Sequence, residues 1–243
     1  MSYRSEELLI SLIASWLGEA GHVAVGAVSP IAGAGALLAS ARSNGHMRVS
    51  LLGSTRYSSF TEGGRELFDC AAQGRIDAFF LGGAQIDGGA NINLVGMGGY
   101  PKSEVRLAGS FGSAYMYFLV PRVMLFAPEH TSRTLVERVD FISAPGTSPP
   151  EIYRPGGPVA LLTDRCLFEF DRGSARFRLV SVHPGQTVTG IIENTGFDFD
   201  YSDDIPTSQT PADDDLALIR GEIGHAIAET YPAFAQRLMN TAA

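Results

Sequence analysis

Hydrophobic residues near the start of the chain recur every three or four positions, a spacing typical of an amphipathic helix. Ser5 is a candidate N-cap for this helix, and Gly18 ends the pattern. A second helix is predicted to have Ser29 as its N-cap and Pro30 as its first residue, and to run to about Ser43. The apolar positions of the first helix are Leu8, Leu9, Leu12, Ile13, Trp16 and Leu17.

Short apolar runs, each closed by glycine or by a polar turn, predict strands between these helices and others. Strands alternating with helices indicate an α/β fold, with a largely parallel sheet between two helical layers. The length fits one domain over residues 1–243. The predicted strands cover residues 22–26, 47–52, 76–81, 122–127, 141–143, 159–162, 166–170 and 177–182. Further helices are predicted at 62–73, 113–119 and 187–194, and from Asp214 to about Met239, capped by Asp213 and interrupted near Pro232.

Residues 80–112, FLGGAQIDGGANINLVGMGGYPKSEVRLAGSFG, combine three Gly-rich turns with short apolar runs. Polar side chains spaced by glycines follow the strand that ends near Leu81. Glycine turns let another group approach the bare backbone closely, and loops at strand ends are where α/β proteins bind ligands. This stretch is therefore a predicted ligand site.

Several motifs, in order along the chain, resemble the β subunit of family I coenzyme A transferases. The motifs are LGGAQID…N-x-N from Leu81, YPKSEVRLAGSFGSA from Tyr100, RTLVERVDFISAPG from Arg133, LTDRC from Leu162 and VHPG from Val182. The resemblance implies a three-layer α/β/α fold of the NagB/RpiA type. It also implies an active site at the junction with an α-type subunit, and so a heterodimer or an α2β2 tetramer.

Coenzyme A transfer in this family uses a glutamate that attacks the thioester and then carries coenzyme A. In relatives this glutamate begins a turn directly after the second strand. Here the turn reads Leu51-Leu52-Gly53-Ser54, and no acidic residue occurs between Ala20 and Thr61. The catalytic candidates on this chain are Ser54, on the turn, and Glu62, the nearest acid. Glu62 is interpreted either as a relocated carboxylate or as an ordinary acid in the first turn of a helix.

The resemblance also implies which loops contact the substrate. The family sequence Asp-x-x-Gly-Asn is changed here, because Ala90 precedes Asn91; we expect an altered turn that keeps the asparagine. No bound cofactor is expected, since coenzyme A enters as part of the substrate. The expected substrate- and coenzyme-A-binding residues are Gly26, Val28, Ser29, Leu52, Gly53, Gly82, Gly83, Gln85, Asp87, Asn91, Asn93, Arg106, Gly109, Ser110 and Gly112.

Composition and charge exclude several classes of protein. The formal charge of −8 argues against a nucleic-acid partner. Neither a signal peptide nor an apolar run long enough for a membrane span is recognisable, so a cytoplasmic protein is expected. The five histidines are scattered without ligand spacing, so no metal site is predicted. Cys70 and Cys166 are interpreted as buried thiols.

Three functions stay open at this point. The first is hydrolysis, or water-dependent carbon–carbon cleavage, of an acyl-CoA, as in the steroid-ring-cleaving branch of the family, which lacks the β-chain nucleophile. The second is coenzyme A transfer with a relocated carboxylate, Glu62 or one on the α chain. The third is a non-catalytic subunit that binds acyl-CoA or supports its partner.

Overall fold

The computed structural model describes residues 2–240, in which the chain forms two compact units that are described separately. Within residues 2–240, every helix is too short or too polar to cross a membrane. The expectation of one domain stays a prediction. The first unit comprises residues 2–70, 75–79 and 209–240, and the second comprises residues 71–74 and 80–208.

The chain alternates strands and helices over most of its length. In chain order the elements are α1 (Ser5–Leu17), β1 (His22–Val25), α2 (Pro30–Arg42), β2 (Arg48–Leu51), α3 (Gly64–Ala72), β3 (Ala78–Leu81), β4 (Gln85–Ile86), β5 (Ile92–Asn93), β6 (Gly96–Met97), β7 (Val105–Arg106), α4 (Ser113–Leu119), β8 (Arg122–Ala127), β9 (Pro158–Thr163), β10 (Cys166–Asp171), β11 (Arg176–Val182), α5 (Val188–Asn194), α6 (Asp213–Leu218), a π-helical turn (Ile219–Ile223), α7 (Gly224–Ile227) and α8 (Pro232–Met239).

In the first unit, β1 lies between β2 and β3 and runs parallel to both. Val23 is the register partner of Val49 on one side and of Ala78 on the other. All four residues of β1 are buried, including His22, whose ring nitrogens contact the Arg75 carbonyl and the Ser50 hydroxyl at 2.8 and 2.9 Å. Because β1 and β2 are parallel, their carboxyl ends lie at the same edge of the sheet.

Small residues in α2 allow close helix packing. A Cβ atom added to Gly35 would lie 2.5 Å from Cγ2 of Ile13 in α1, and one added to Gly33 would lie 3.1 Å from side chains of Leu51 and Ile227. Both glycines are inside the helix, which begins at Pro30 with Ser29 as N-cap, as predicted. These glycines therefore serve helix packing.

Two ion pairs, one with a fully buried carboxylate and one partly exposed, connect the C-terminal helices to α1 and α2. Glu7, fully buried, accepts from Arg220 at 2.6 and 2.9 Å and from the backbone N–H of Arg4 at 2.8 Å. Asp215 accepts from Arg42 at 2.6 and 2.9 Å. Breaking such pairs leaves an unpaired charge away from water, so they hold the C-terminal segment in place.

In the second unit, the strand order is β11-β10-β9-β8-β3. β8 and β9 are parallel, whereas β9, β10 and β11 form an antiparallel meander. Two short antiparallel ladders, β4 with β5 and β6 with β7, lie outside this sheet. The predicted α/β class with a mostly parallel main sheet is confirmed.

Several predicted boundaries are wrong by a few residues. The helix predicted from Glu62 begins at Gly64, and the N-caps of α1 and α6 are Arg4 and Ala212, one residue before the predicted caps. The strand predicted at 141–143 is absent, and only Ala144 forms a bridge, with Ile92. The C-terminal helix is interrupted before Pro232, as predicted, and additionally contains the π-helical turn.

Candidate functional site

The predicted site residues fall into two groups, one in each unit. In the first unit, one loop follows β1 and contains Gly26, Val28 and Ser29, and a turn follows β2. The backbone N–H of Leu52 donates to the Val25 carbonyl at 3.0 Å. The two loops therefore leave the sheet side by side, as the parallel pairing of β1 and β2 requires.

The loop after β1 contains a backbone outlier. Val28 has φ 59°, a left-handed conformation that is strained for a β-branched residue. Its side chain is 87% exposed. Strain of this kind persists only when the surrounding structure imposes it, and it clusters at ligand-binding sites. The exposed, strained Val28 is thus consistent with its predicted binding role, which stays a prediction.

The turn after β2 uses the Ser54 hydroxyl to hold its own shape. Gly53 adopts φ 89°, which favours glycine. The Ser54 hydroxyl oxygen accepts from the backbone N–H of Tyr57 at 2.9 Å, and the residue is only 4% exposed. A buried hydroxyl engaged in the turn is poorly placed to attack a substrate. The geometry supports a structural role for Ser54, and its catalytic role stays a prediction.

Glu229, which the sequence did not point to, supplies a carboxylate to this turn. Its Oε2 accepts from the Ser54 hydroxyl at 2.7 Å, and its Oε1 accepts from the backbone N–H of Thr55 at 2.7 Å and from the Thr55 hydroxyl. Hydrogen bonds from the Thr55 hydroxyl, the Ser54 hydroxyl and the Thr55 amide lower the pKa of Glu229 to about 2. The carboxylate is therefore a firmly held anion.

Glu62 lies in the bend before α3 and points to solvent. Its side chain is 58% exposed and pairs with Arg65 at 2.8 Å. Glu66 performs the helix-start role, since its carboxylate accepts from the Thr61 hydroxyl at 2.9 Å and from the Glu62 amide at 3.2 Å. This arrangement supports the interpretation of Glu62 as an ordinary surface acid; relocation of the nucleophile to Glu62 stays a prediction.

In the second unit, Gly82 and Gly83 follow β3, and the polar residues beyond them hydrogen-bond mainly to the chain itself. Asn93 donates to Gln85 at 2.7 Å, and Gln85 donates to Asp140 at 3.0 Å. Gln85 and Asn93 are both buried. Their amides therefore fix the loop around β4 and β5, and any substrate contact from this region would come largely from backbone groups.

Asp87 closes the turn that contains Ala90. Oδ1 of Asp87 accepts from the backbone N–H groups of Gly89 and Asn91, each at 3.1 Å, and from the Asn91 side chain at 3.0 Å. Ala90 adopts φ 57°, a conformation that glycine adopts without strain. The turn thus keeps a left-handed residue at Ala90, the position for which the family resemblance implied glycine.

The segment from Arg106 to Gly112 is open to solvent. Arg106 is exposed, and Gly109 has φ 99° with free space beside it in the described chain. The Ser110 carbonyl accepts from the backbone N–H of Ser113, and Gly112 is the N-cap of α4. An exposed arginine and a glycine with open space beside its backbone both suit a phosphate-bearing ligand, and binding by these residues stays a prediction.

Elsewhere, the buried titratable groups are structural. His130 contacts the hydroxyls of Thr163 and Thr195, each at 2.9 Å, and burial lowers its pKa to about 4. Burial raises the pKa of the Cys166 thiol to about 12, so this thiol is inert. Cys70 is only half-buried, a correction to the sequence prediction. Among residues 2–240, no three His, Cys, Asp or Glu side chains are placed to hold a metal ion.

The sequence of the chain is similar to those of several known proteins. A family model described as coenzyme A transferase matches residues 8–194. One subunit of the 3-oxoadipate CoA-transferase of Pseudomonas knackmussii is 36% identical over 60% of this chain and 58% of its own length. One subunit of the glutaconate CoA-transferase of Acidaminococcus fermentans is 30% identical over 59% and 56%. The cholesterol ring-cleaving hydrolase IpdB subunit of Rhodococcus jostii is 30% identical over 64% and 62%. The chain thus matches little more than half the length of these relatives.

Solved structures match over nearly the whole chain. The decarboxylase AibA/AibB aligns with a TM-score of 0.78 and 25% identity over 98% of this chain and 99% of the other. Rhodococcus jostii IpdAB aligns with a TM-score of 0.81 and 23% identity over 91% and 94%. Glutaconate coenzyme A-transferase from Acidaminococcus fermentans gives 0.80 and 22% over 91% and 95%. The last two likenesses establish the fold alone.

Proposed function

The chain belongs to the coenzyme A transferase family, and on that premise we propose that it is the β-type subunit of a heteromeric enzyme that acts on an acyl-CoA thioester. We further propose that the reaction is hydrolysis or water-dependent carbon–carbon cleavage. The named relatives include a ring-cleaving hydrolase subunit as well as transferase subunits. Family membership therefore leaves the reaction type to be argued from the site.

The turn after β2 is the feature from which we infer the nucleophile of the reaction. Leu52 and Gly53 offer no side chain that can attack a thioester. The carboxylate that does reach this turn, Glu229, accepts hydrogen bonds from the hydroxyls of Ser54 and Thr55 and from the Thr55 amide. A carboxylate held in this way would have to give up hydrogen bonds in order to attack, which disfavours it as a nucleophile. Water is therefore the proposed nucleophile.

In this proposal the chain shapes the site and does not form a covalent intermediate. Leu52, half-buried at the end of β2, would form part of an apolar acyl pocket that limits the entry of bulk water. A backbone N–H group of the turn after β2 would stabilise the negative charge that develops on the thioester oxygen. Coenzyme A is part of the substrate, and no resident cofactor is required.

Coenzyme A transfer is the second candidate. The transferase subunit from Pseudomonas knackmussii is 36% identical to this chain, above the 30% of the hydrolase subunit from Rhodococcus jostii. Glu229 also brings a carboxylate to the turn at which relatives carry theirs. If transfer occurs, Glu229 is a stronger candidate for the relocated carboxylate than Glu62, which pairs with Arg65 at the surface.

Activity is expected to require an α-type partner from the same organism. The purified chain, the α-type chain and their mixture are incubated with 3-oxoadipyl-CoA and with glutaconyl-CoA, the thioesters of the acids named in two relatives. Mass spectrometry follows loss of the thioester. We expect the mixture to react at least 100-fold faster than either chain alone, because each contributes only part of the site. Full turnover by this chain alone would contradict the proposal.

A further inference from the structure

Three consecutive residues between α7 and α8 contact the two loops that follow β1 and β2. Glu229 accepts hydrogen bonds from Ser54 and Thr55. The methyl group of Thr230 lies 3.7 Å from where a Cβ atom of Gly53 would be. The hydroxyl of Tyr231 accepts from the backbone N–H of Ser29 at 3.1 Å. We call Glu229–Tyr231 the bridging segment.

We propose that the bridging segment positions both loops for the reaction of acyl-CoA, and that Glu229 is the positioning residue for the turn at Ser54 and Thr55. This inference rests on the proposed function. It assigns a role to part of the chain beyond residues 8–194, which the family model does not cover.

The local sequence explains why the bridging segment is not helical. Pro232 at the start of α8 disfavours a helical conformation at Tyr231, which has φ −134° and serves as N-cap. Upstream, the π-helical turn and α7 are fixed by the buried pair between Arg220 and Glu7. The segment is therefore a short connection anchored at both ends, which can present three side chains in one direction.

Glu229 meets neutral donors: the hydroxyls of Ser54 and Thr55 and the backbone amides of Thr55 and Arg56. An ionised carboxylate forms stronger hydrogen bonds with such donors than a neutral acceptor does. Glu229 is exposed, so its contacts do not follow from hydrophobic packing. The low pKa of Glu229 agrees with this geometry, since hydrogen bonds to the anion stabilise it. The carboxylate thus fixes a turn that has no acid of its own.

Fixing the turn has a consequence for catalysis. Leu52 and Gly53 precede Ser54 directly, so the direction of the Leu52 side chain and of the Gly53 amide depends on where Ser54 and Thr55 are held. Misplacement of about 1 Å in a catalytic site can reduce the rate about 100-fold. A positioning role therefore affects kcat more than KM, because the loops still bind the bulk of the substrate.

The test uses the full-length chain and the pair with its α-type partner. In Glu229→Gln, the acceptor loses its negative charge, so its hydrogen bonds to Ser54 and Thr55 become weaker. We expect the Thr55 amide to exchange with solvent deuterium at least 10-fold faster, and kcat of the pair to fall 10- to 100-fold while KM changes by less than 3-fold.

Tyr231→Phe removes the acceptor of the Ser29 amide, so this amide should also exchange faster with solvent deuterium. The matched control is Glu222→Gln, an exposed acid of the same C-terminal segment, with neither effect expected.

Unchanged exchange in Glu229→Gln, or faster exchange with unchanged kcat, overturns the inference. If Glu229→Gln does not fold, Thr55→Val removes one donor, keeps the carboxylate and tests the same contact by exchange and by kcat. If the unaltered pair converts no acyl-CoA, the proposed function fails. Exchange at Thr55 and Ser29 then decides by itself whether the bridging segment holds the loops.

Discussion

Product made by the reconstituted pair in oxygen-18 water is expected to carry one labelled oxygen in its new carboxylate. The reason is that the turn after β2 offers Leu52 and Gly53 in place of a nucleophilic side chain, and that Glu229 is engaged with Ser54 and Thr55. Water then supplies the oxygen for hydrolysis or for carbon–carbon cleavage. Mass spectrometry of the isolated product measures the label.

A parallel reaction in ordinary water with oxygen-18 acetate provides the control. Transfer of coenzyme A to acetate would move labelled oxygen from acetate into the released acid, and this outcome would favour a transferase. Loss of carbon dioxide without any label would indicate decarboxylation instead. Neither outcome is compatible with water-dependent cleavage.

Gly146→Ala is expected to destabilise the second unit by about 3 kcal/mol or more. An added Cβ would lie 2.0 Å from the Gly89 carbonyl oxygen and 2.9 Å from Cβ of Ala90. No rotamer change relieves a clash with backbone, and the turn that would have to move is held by Asp87. The backbone N–H of Gly146 also donates to Asn91 at 3.1 Å, which anchors it in place.

Urea unfolding monitored by circular dichroism measures this change in the free energy of unfolding. Gly99→Ala is the matched control, because an added Cβ there meets no atom of the described chain within 4 Å. It should change stability by no more than about 0.5 kcal/mol. A loss below about 1 kcal/mol for Gly146→Ala would show that the turn at Gly89 and Ala90 is more pliable than the hydrogen bonds of Asp87 indicate.

Much of the fold could be predicted because local chemistry and tertiary packing agree. α2 begins at Pro30 with Ser29 as N-cap, as predicted, although the Ser29 hydroxyl makes no capping hydrogen bond, and buried apolar runs became strands. The sequence-based prediction of helices and strands failed where a side-chain hydrogen bond determines the local structure. Residues 141–143 look like a strand, yet backbone pairing with Ile92 is confined to Ser143 and Ala144, and the Ser143 hydroxyl also donates to the Ile92 carbonyl at 2.7 Å. The start of α3 moved because Glu66 bonds back to Thr61.

The candidate site was less predictable, for a physical reason. A sequence shows which residue types are present but not which of their hydrogen-bonding atoms are already used. The side-chain amides of Gln85 and Asn93 bond to each other, and that of Gln85 also bonds to Asp140, which no spacing rule reveals. Glu229 bonds to Ser54 although the two residues are 175 positions apart in the sequence. A turn without an acidic residue nearby in the sequence can therefore still have a carboxylate beside it in the folded chain.

The intact mass of this chain after reaction is the most direct test of non-covalent action. The pair is incubated with excess acyl-CoA, quenched in acid, and treated with borohydride or hydroxylamine before mass spectrometry and peptide mapping. We expect an unchanged mass for this chain, because the turn after β2 has no acidic side chain of its own and the Glu229 carboxylate is engaged with Ser54 and Thr55. A coenzyme A or reduced adduct mapped to Glu229, to Glu62 or to any other residue of this chain would contradict it and establish covalent transfer.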